Sequence, residues 1–165
     1  MEKTLFEAYK EEVLADAASL GFGLSEIEGF ELAVMPWSKF GECRKSVETG
    51  RYTICINEKD FLNERLTPKM RLRLLMHEVC HAQEGCLDHG RRWQEMAGLA
   101  EKAFPEKYGG IVENYEGADL QAALAKYLFR CPSCGHVYGT RSSRDRAMTG
   151  KALCIRCGAP FERVS

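Results

Sequence analysis

No run of apolar residues in the 165-residue chain approaches the roughly eighteen that a membrane span requires. The opening stretch, MEKTLFEAYKEEV, is acidic and amphipathic and lacks the basic start and apolar centre of a secretory signal. Net charge is nearly absent, at −1, while 45% of the residues are hydrophobic, so charge-driven disorder is excluded. There is neither an internal repeat nor a low-complexity tract, which excludes a solenoid. What remains is an ordinary soluble chain, long enough for one domain and a small appendage, in a reducing cytoplasm.

The near-zero charge conceals an uneven division. Residues 128–165 carry seven Lys and Arg against two Asp and Glu, a net of +5, so residues 1–127 carry a net of −6. The expected boundary therefore lies between a first domain, 1–127, and an appendage, 128–165.

Cysteine is plentiful, with eight residues. In a reducing compartment they sort by spacing rather than by pairing into disulfides. Cys131, Cys134, Cys154 and Cys157 form two CxxCG knuckles, in FRCPSCGHVYG and ALCIRCGAPF, and Gly135 and Gly158 can take the positive φ that such turns need. Four thiolates at this spacing suit a closed, structural zinc site. Cys43, Cys55, Cys80 and Cys86 stand singly and read as small buried or half-buried hydrophobes. His136, beside the first knuckle, is a spare donor expected on the ribbon surface.

Several helices and two strands are legible. Thr4 followed by Glu7 has the form of a capping box, and Leu5, Tyr9, Val13, Ala17 and Leu20 then recur at helical spacing. ELAVM (31–35) and RYTICIN (51–57) look extended, and the second alternates Tyr52, Ile54 and Ile56 against Thr53, Cys55 and Asn57. A small antiparallel sheet fits. Thr67 and Pro68 open a helix as N-cap and first residue, and its apolar positions, from Met70 to Val79, cover most of its circumference. It should be the buried, central helix. A further helix from about residue 90 carries Trp93, Met96, Ala97, Ala100 and Phe104 on one stripe and stops at Pro105, and ADLQAALAKYL suggests a short helix ahead of the appendage.

Only four histidines occur, and three of them, His77, His81 and His89, fall within thirteen positions of HEVCHAQEGCLDHGRRW. His77 and His81 are four apart on the central helix, so their imidazoles can face one ion, and Glu78 lies about 100° around from His77. This is the HExxH arrangement, two ligands and a carboxylate that reaches water at the metal rather than the metal itself. The alternative is a helix whose histidines are satisfied by neighbours. Burying two imidazoles and a carboxylate without partners would cost on the order of 1 to 3 kcal/mol for each unsatisfied group, and a metal removes that penalty. A catalytic zinc needs a third protein ligand. His89 leads, with Glu95 and Glu101 as rivals. The pattern HExxHxxGxxH is not met, because three residues precede Gly85 and three follow it.

With both clusters placed, the chain resembles the SprT-like zinc metalloprotease family, bacterial SprT and eukaryotic Spartan relatives. The resemblance is carried in order by GECRKSVETGRYTICINEKDFL, HEVCHA, HGRRW, and the ribbon from FRCPSCG to CIRCG, spanning about residues 40 to 157. It implies an α+β, mostly helical, minigluzincin-like HExxH protease domain followed by a four-cysteine zinc ribbon. It further implies His77, His81 and His89 as ligands of a catalytic zinc, with Glu78 as acid/base and Cys131, Cys134, Cys154 and Cys157 holding a second, structural zinc. Its implied substrates are proteins bound or crosslinked to DNA, a role in DNA–protein crosslink repair. Between the knuckles, Arg141, Arg144, Arg146 and Lys151 lie near Tyr138 in what reads as a basic hairpin. Such a hairpin suits contact with nucleic-acid phosphate, and a solvated charged face is the alternative. A non-catalytic zinc module recruited through the ribbon is the rival function. Nucleobase deamination is disfavoured, since that chemistry joins HxE and PCxxC elements in one site. Tyr52, Tyr108, Tyr115 and Tyr127 are all chemically able to stabilise an oxyanion.

Overall fold

The structure is a computed structural model and describes residues 2–115 and 117–164. The chain divides into two compact units, Met1–Tyr115 and Glu116–Ser165. The division falls twelve residues before the charge boundary, because the short helix of ADLQAAL packs on the ribbon strands. No helix among the described residues is long and apolar enough to cross a membrane.

The first unit is α+β. Helix α1 (Glu2–Ser19) leads to strand β1 (Ile27–Ala33), then to β2 (Gly41–Lys45) and β3 (Tyr52–Asn57). Helices α2 (Glu58–Phe61), α3 (Pro68–His81), α4 (Arg91–Ala103) and α5 (Pro105–Tyr108) follow. Helix α1 already includes Glu2, so Thr4 lies inside the first turn and is not the cap expected of it; Glu7 pairs with Lys10 instead. The buried face begins at Phe6, whose ring meets Phe61 edge-on at 5.3 Å, and continues through Val13 and Ala17. Leu5 is exposed. The stripe therefore begins at Phe6 rather than at Leu5, while Val13 and Ala17 lie on it as expected.

The sheet corrects the expected all-antiparallel pairing. Its strand order is β1-β3-β2, with β1 parallel to β3 and β2 antiparallel to it. The chain reverses between β1 and β2 and again between β2 and β3, so the first and third strands run the same way. Strand β3 then sits in the middle, where Tyr52, Ile54, Cys55, Ile56 and Asn57 are all buried. A central strand covered on both faces has no polar side, so the alternation in RYTICIN did not mark a half-solvated edge.

Helix α3 is the pivot of the unit, packing on α1, α4, α5, β2 and β3. Its start is as expected: Thr67 accepts a bond from the Met70 N–H at 3.3 Å and Pro68 occupies the first turn. Leu74, Leu75, Met76 and Val79 are buried, and so is Arg71, whose guanidinium donates to the carbonyls of Phe61 at 2.8 Å and Asn63 at 2.9 Å. Pro105 ends α4 and at the same time opens α5.

The second unit holds α6 (Ala118–Leu124) and a three-stranded antiparallel sheet of β4 (Tyr127–Arg130), β5 (Val137–Thr140) and β6 (Glu162–Arg163), in the order β5-β4-β6. Gly139 of β5 lies so close to α6 that an added Cβ would stand 2.9 Å from the Gln121 carbonyl. That close approach is what draws the helix into this unit.

Candidate metal centres

The two HExxH histidines occupy the last turns of α3, where a helical repeat of 3.6 residues stacks positions four apart. After Ala82 the chain turns through Gln83–Gly90. Gly85 adopts φ 74°, and Gln83 fastens the turn by accepting from the Gly23 N–H at 2.7 Å and donating to the Val79 carbonyl at 3.1 Å. Asp88 accepts the Gly90 N–H at 2.9 Å, and Gln94 donates to the His89 carbonyl at 3.1 Å. This turn carries His89 back over the helix end. The Nε2 atoms of His77, His81 and His89 consequently stand 3.0 to 3.2 Å from one another.

Three imidazole nitrogens in a closed triangle cannot satisfy each other, since a neutral ring has one N–H and each of these atoms faces two partners. His81 already directs its Nδ1 proton to the Cys86 carbonyl at 2.6 Å, which leaves the Nε2 lone pair turned inward. A tetrahedral metal with bonds of about 2.0 to 2.1 Å to nitrogen would separate its ligand atoms by about 3.3 Å. The donor set fits a metal ion. Burial pushes His77 down to about 3, with the neighbouring His81 and His89 charges adding to the fall. His81 is lowered as well by burial, against the opposing pull of the Cys86 carbonyl.

Glu78 is 4% exposed and lies on the sheet side of the triad. Gly41 of β2 abuts its carboxylate so closely that a Cβ there would be 2.7 Å from Oε1. Burial pushes Glu78 up to about 8; Glu42 adds to the rise and Lys39 opposes it. Trp93 of α4 forms the floor, fully buried, with its ring 4.8 Å from those of His77 and His89 and 5.6 Å from that of His81. Its Nε1 donates to the His77 carbonyl at 3.4 Å.

The rival ligands are elsewhere. Glu95 pairs with Arg91 at 2.9 Å on the surface of α4. Glu101 accepts the N–H groups of Gly110 and Val112 at 2.9 and 3.4 Å. Of the tyrosines, Tyr115 alone among the described residues has its ring against a triad histidine, 4.9 Å from His89. Trp93, Gly41 and the Cys86 carbonyl were not singled out in the sequence as parts of this site. The four-residue step from His89 to Trp93 was the available signal for the first; nothing in the sequence marks the other two.

In the second unit the knuckles repeat one geometry. Gly135 donates to the Cys131 carbonyl at 2.9 Å and Gly158 to that of Cys154 at 2.7 Å, with φ values of 72° and 75°. The Sγ atoms are 3.4 Å apart for Cys131 and Cys157, 3.5 Å for Cys134 and Cys154, and 3.6 Å for Cys134 and Cys157. A tetrahedral ion with bonds of about 2.3 Å to sulfur separates its ligands by about 3.8 Å, so these four also fit a metal ion. Although burial would raise it, Cys131 is drawn down to about 7 by the N–H of Cys134 and the Cys157 thiol. Cys55, Cys80 and Cys86 are buried and Cys43 half-buried, as expected of isolated small hydrophobes. His136 is half-buried beside Phe161 and outside the four-sulfur cluster.

The expected basic hairpin is instead a strand followed by a loop and a single turn of 3-10 helix, Arg146–Thr149. Asp145 caps that turn by accepting from the Ala147 N–H at 2.9 Å, and also accepts the Tyr138 hydroxyl at 2.6 Å. Arg144, Arg146 and Lys151 are exposed, whereas Arg141 is half-buried with its Nη2 inside the fold. No family model, curated protein or solved structure matches the chain.

Proposed function

We propose that the chain is a zinc-dependent endopeptidase of the SprT-like family, with a protease domain of the HExxH type and a four-cysteine zinc ribbon. The observation that carries this reading is the convergence of His77, His81 and His89 on one point with the Glu78 carboxylate alongside. Zinc held by His77, His81 and His89 would supply Lewis-acid polarisation of a peptide carbonyl and a more acidic water. Glu78 takes a proton from the attacking water and passes it to the leaving amine nitrogen as the C–N bond breaks. His81, fixed by Cys86, and His77, backed by Trp93, keep the donor set in place during turnover.

Substrates of this reading are proteins bound or crosslinked to DNA, with exposed Arg144, Arg146 and Lys151 providing contact to phosphate. The first unit, being acidic, does not attract nucleic acid by itself. The four thiols of the ribbon stay available to zinc in a reducing cytoplasm.

Two measurements test the reading. Elemental analysis should give two zincs per chain, falling to one in His89→Ala. Glu78→Gln should keep both zincs and lose cleavage of labelled casein assayed with single-stranded DNA present. One zinc in wild type and His89→Ala alike, with no cleavage, would favour the non-catalytic ribbon module.

A further inference from the structure

We infer that Tyr115 is the oxyanion donor of this site, its phenol O–H aimed at the carbonyl oxygen of the scissile peptide; this rests on the hydrolytic reading above. The sequence offers four tyrosines for the role, and the structure separates them. Tyr108 is fully buried and its hydroxyl is spent on Asp16 Oδ2 at 2.6 Å. Tyr52 is buried in the central strand with Lys45 over its ring at 5.2 Å, and Tyr127 belongs to the other unit. Tyr115 is half-buried, lies 4.9 Å from the His89 ring and 6.3 Å from that of Trp93, and its hydroxyl donates no hydrogen bond among the described residues. Among those residues it is the one phenol at the triad with its proton uncommitted.

The segment that delivers Tyr115 is held by the two helices that frame the triad. Arg73 of α3 donates to the Gly109 carbonyl at 3.3 Å, and Glu101 of α4 accepts from Gly110 and Val112. Asn114 then closes back on the Gly110 carbonyl through its backbone N–H at 3.0 Å and its side chain at 3.1 Å. Glu101, passed over as a ligand, thus positions the residue that reaches the site. Glu78 sits on the β2 side and Tyr115 on the α4 side, so proton acceptor and hydrogen-bond donor approach from different elements. When the water oxygen bonds to the carbonyl carbon, the π electrons move to the carbonyl oxygen. Tyr115 donates a hydrogen bond to that oxygen without giving up its proton.

Tyr115→Phe is the decisive variant because it keeps the ring on His89 and removes only the hydroxyl. Expected are two zincs per chain, a kcat for labelled casein reduced roughly 100-fold with little change in KM, and weakened binding of a phosphinic tripeptide, which mimics the oxyanion. Wild-type kcat and wild-type phosphinic affinity in Tyr115→Phe would overturn the assignment while leaving the hydrolytic reading intact. A wild-type chain that neither cleaves casein nor binds the phosphinic tripeptide would remove both.

Discussion

The Nδ1 of His81 donates to the backbone carbonyl of Cys86 at 2.6 Å, five residues further along the chain. That bond fixes the imidazole tautomer and its orientation, and it makes the turn after α3 part of the candidate metal centre.

The turn depends on Gly85, which holds φ 74° with nothing nearer a built Cβ than Arg92 Cγ at 3.8 Å. Gly85→Ala should therefore act through backbone strain alone, costing about 1 to 2 kcal/mol. By displacing the Cys86 carbonyl it should weaken zinc at the histidine site roughly tenfold, read by chelator competition, with the ribbon zinc unaffected. Unchanged affinity would mean that His81 is oriented without this bond.

Gly41→Ala tests the placement of Glu78. The added Cβ would stand 2.7 Å from Oε1, 3.1 Å from Cδ and 3.1 Å from Cγ, so the buried Glu78 side chain must shift to admit it. The melting temperature should fall by a few degrees with zinc content kept, while cleavage falls roughly 10- to 100-fold through the misplaced carboxylate. A variant that cleaves at the wild-type rate would show that the carboxylate position is not critical.

Removing the floor should be costly in both respects. Trp93→Ala leaves a cavity beneath three imidazoles and should lose about 3 to 5 kcal/mol in urea unfolding of the zinc-loaded chain. Trp93→Phe should retain most of that stability while losing the bond to the His77 carbonyl. If Trp93→Ala unfolds at the wild-type urea midpoint, the floor is not part of the core.

For the ribbon, Arg144, Arg146 and Lys151 changed together to Ala should weaken binding to a single-stranded oligonucleotide. The slope of log affinity against log salt should flatten by about 2, at roughly 0.7 for each phosphate no longer neutralised. Arg141 is left out because its guanidinium is partly inside the fold. An identical slope in wild type and variant would assign these charges to a solvated face.

Much of the chemistry is local and could be read directly. His77 and His81 share a helix face because of a fixed repeat, Thr67 and Pro68 announce where that helix begins, and each CxxCG knuckle turns on its own glycine. Other expectations failed where a second element intervened. Thr4 resembles a cap, yet the helix starts ahead of it; RYTICIN alternates, yet β1 and β2 flank it on both sides, one parallel and one antiparallel.

The sequence by itself determined the candidate ligand types and their spacing within each segment, because helical repeat and knuckle geometry act over a few residues. Only the tertiary structure decided that His89 rather than Glu95 or Glu101 joins the cluster, that Gly41 abuts Glu78, and that Tyr115 rather than Tyr108 faces the triad. Those outcomes depend on how the turn after α3 folds back and on how α3, α4 and β2 pack. Such packing is fixed by the burial of many side chains at once and leaves no mark on any one stretch of chain.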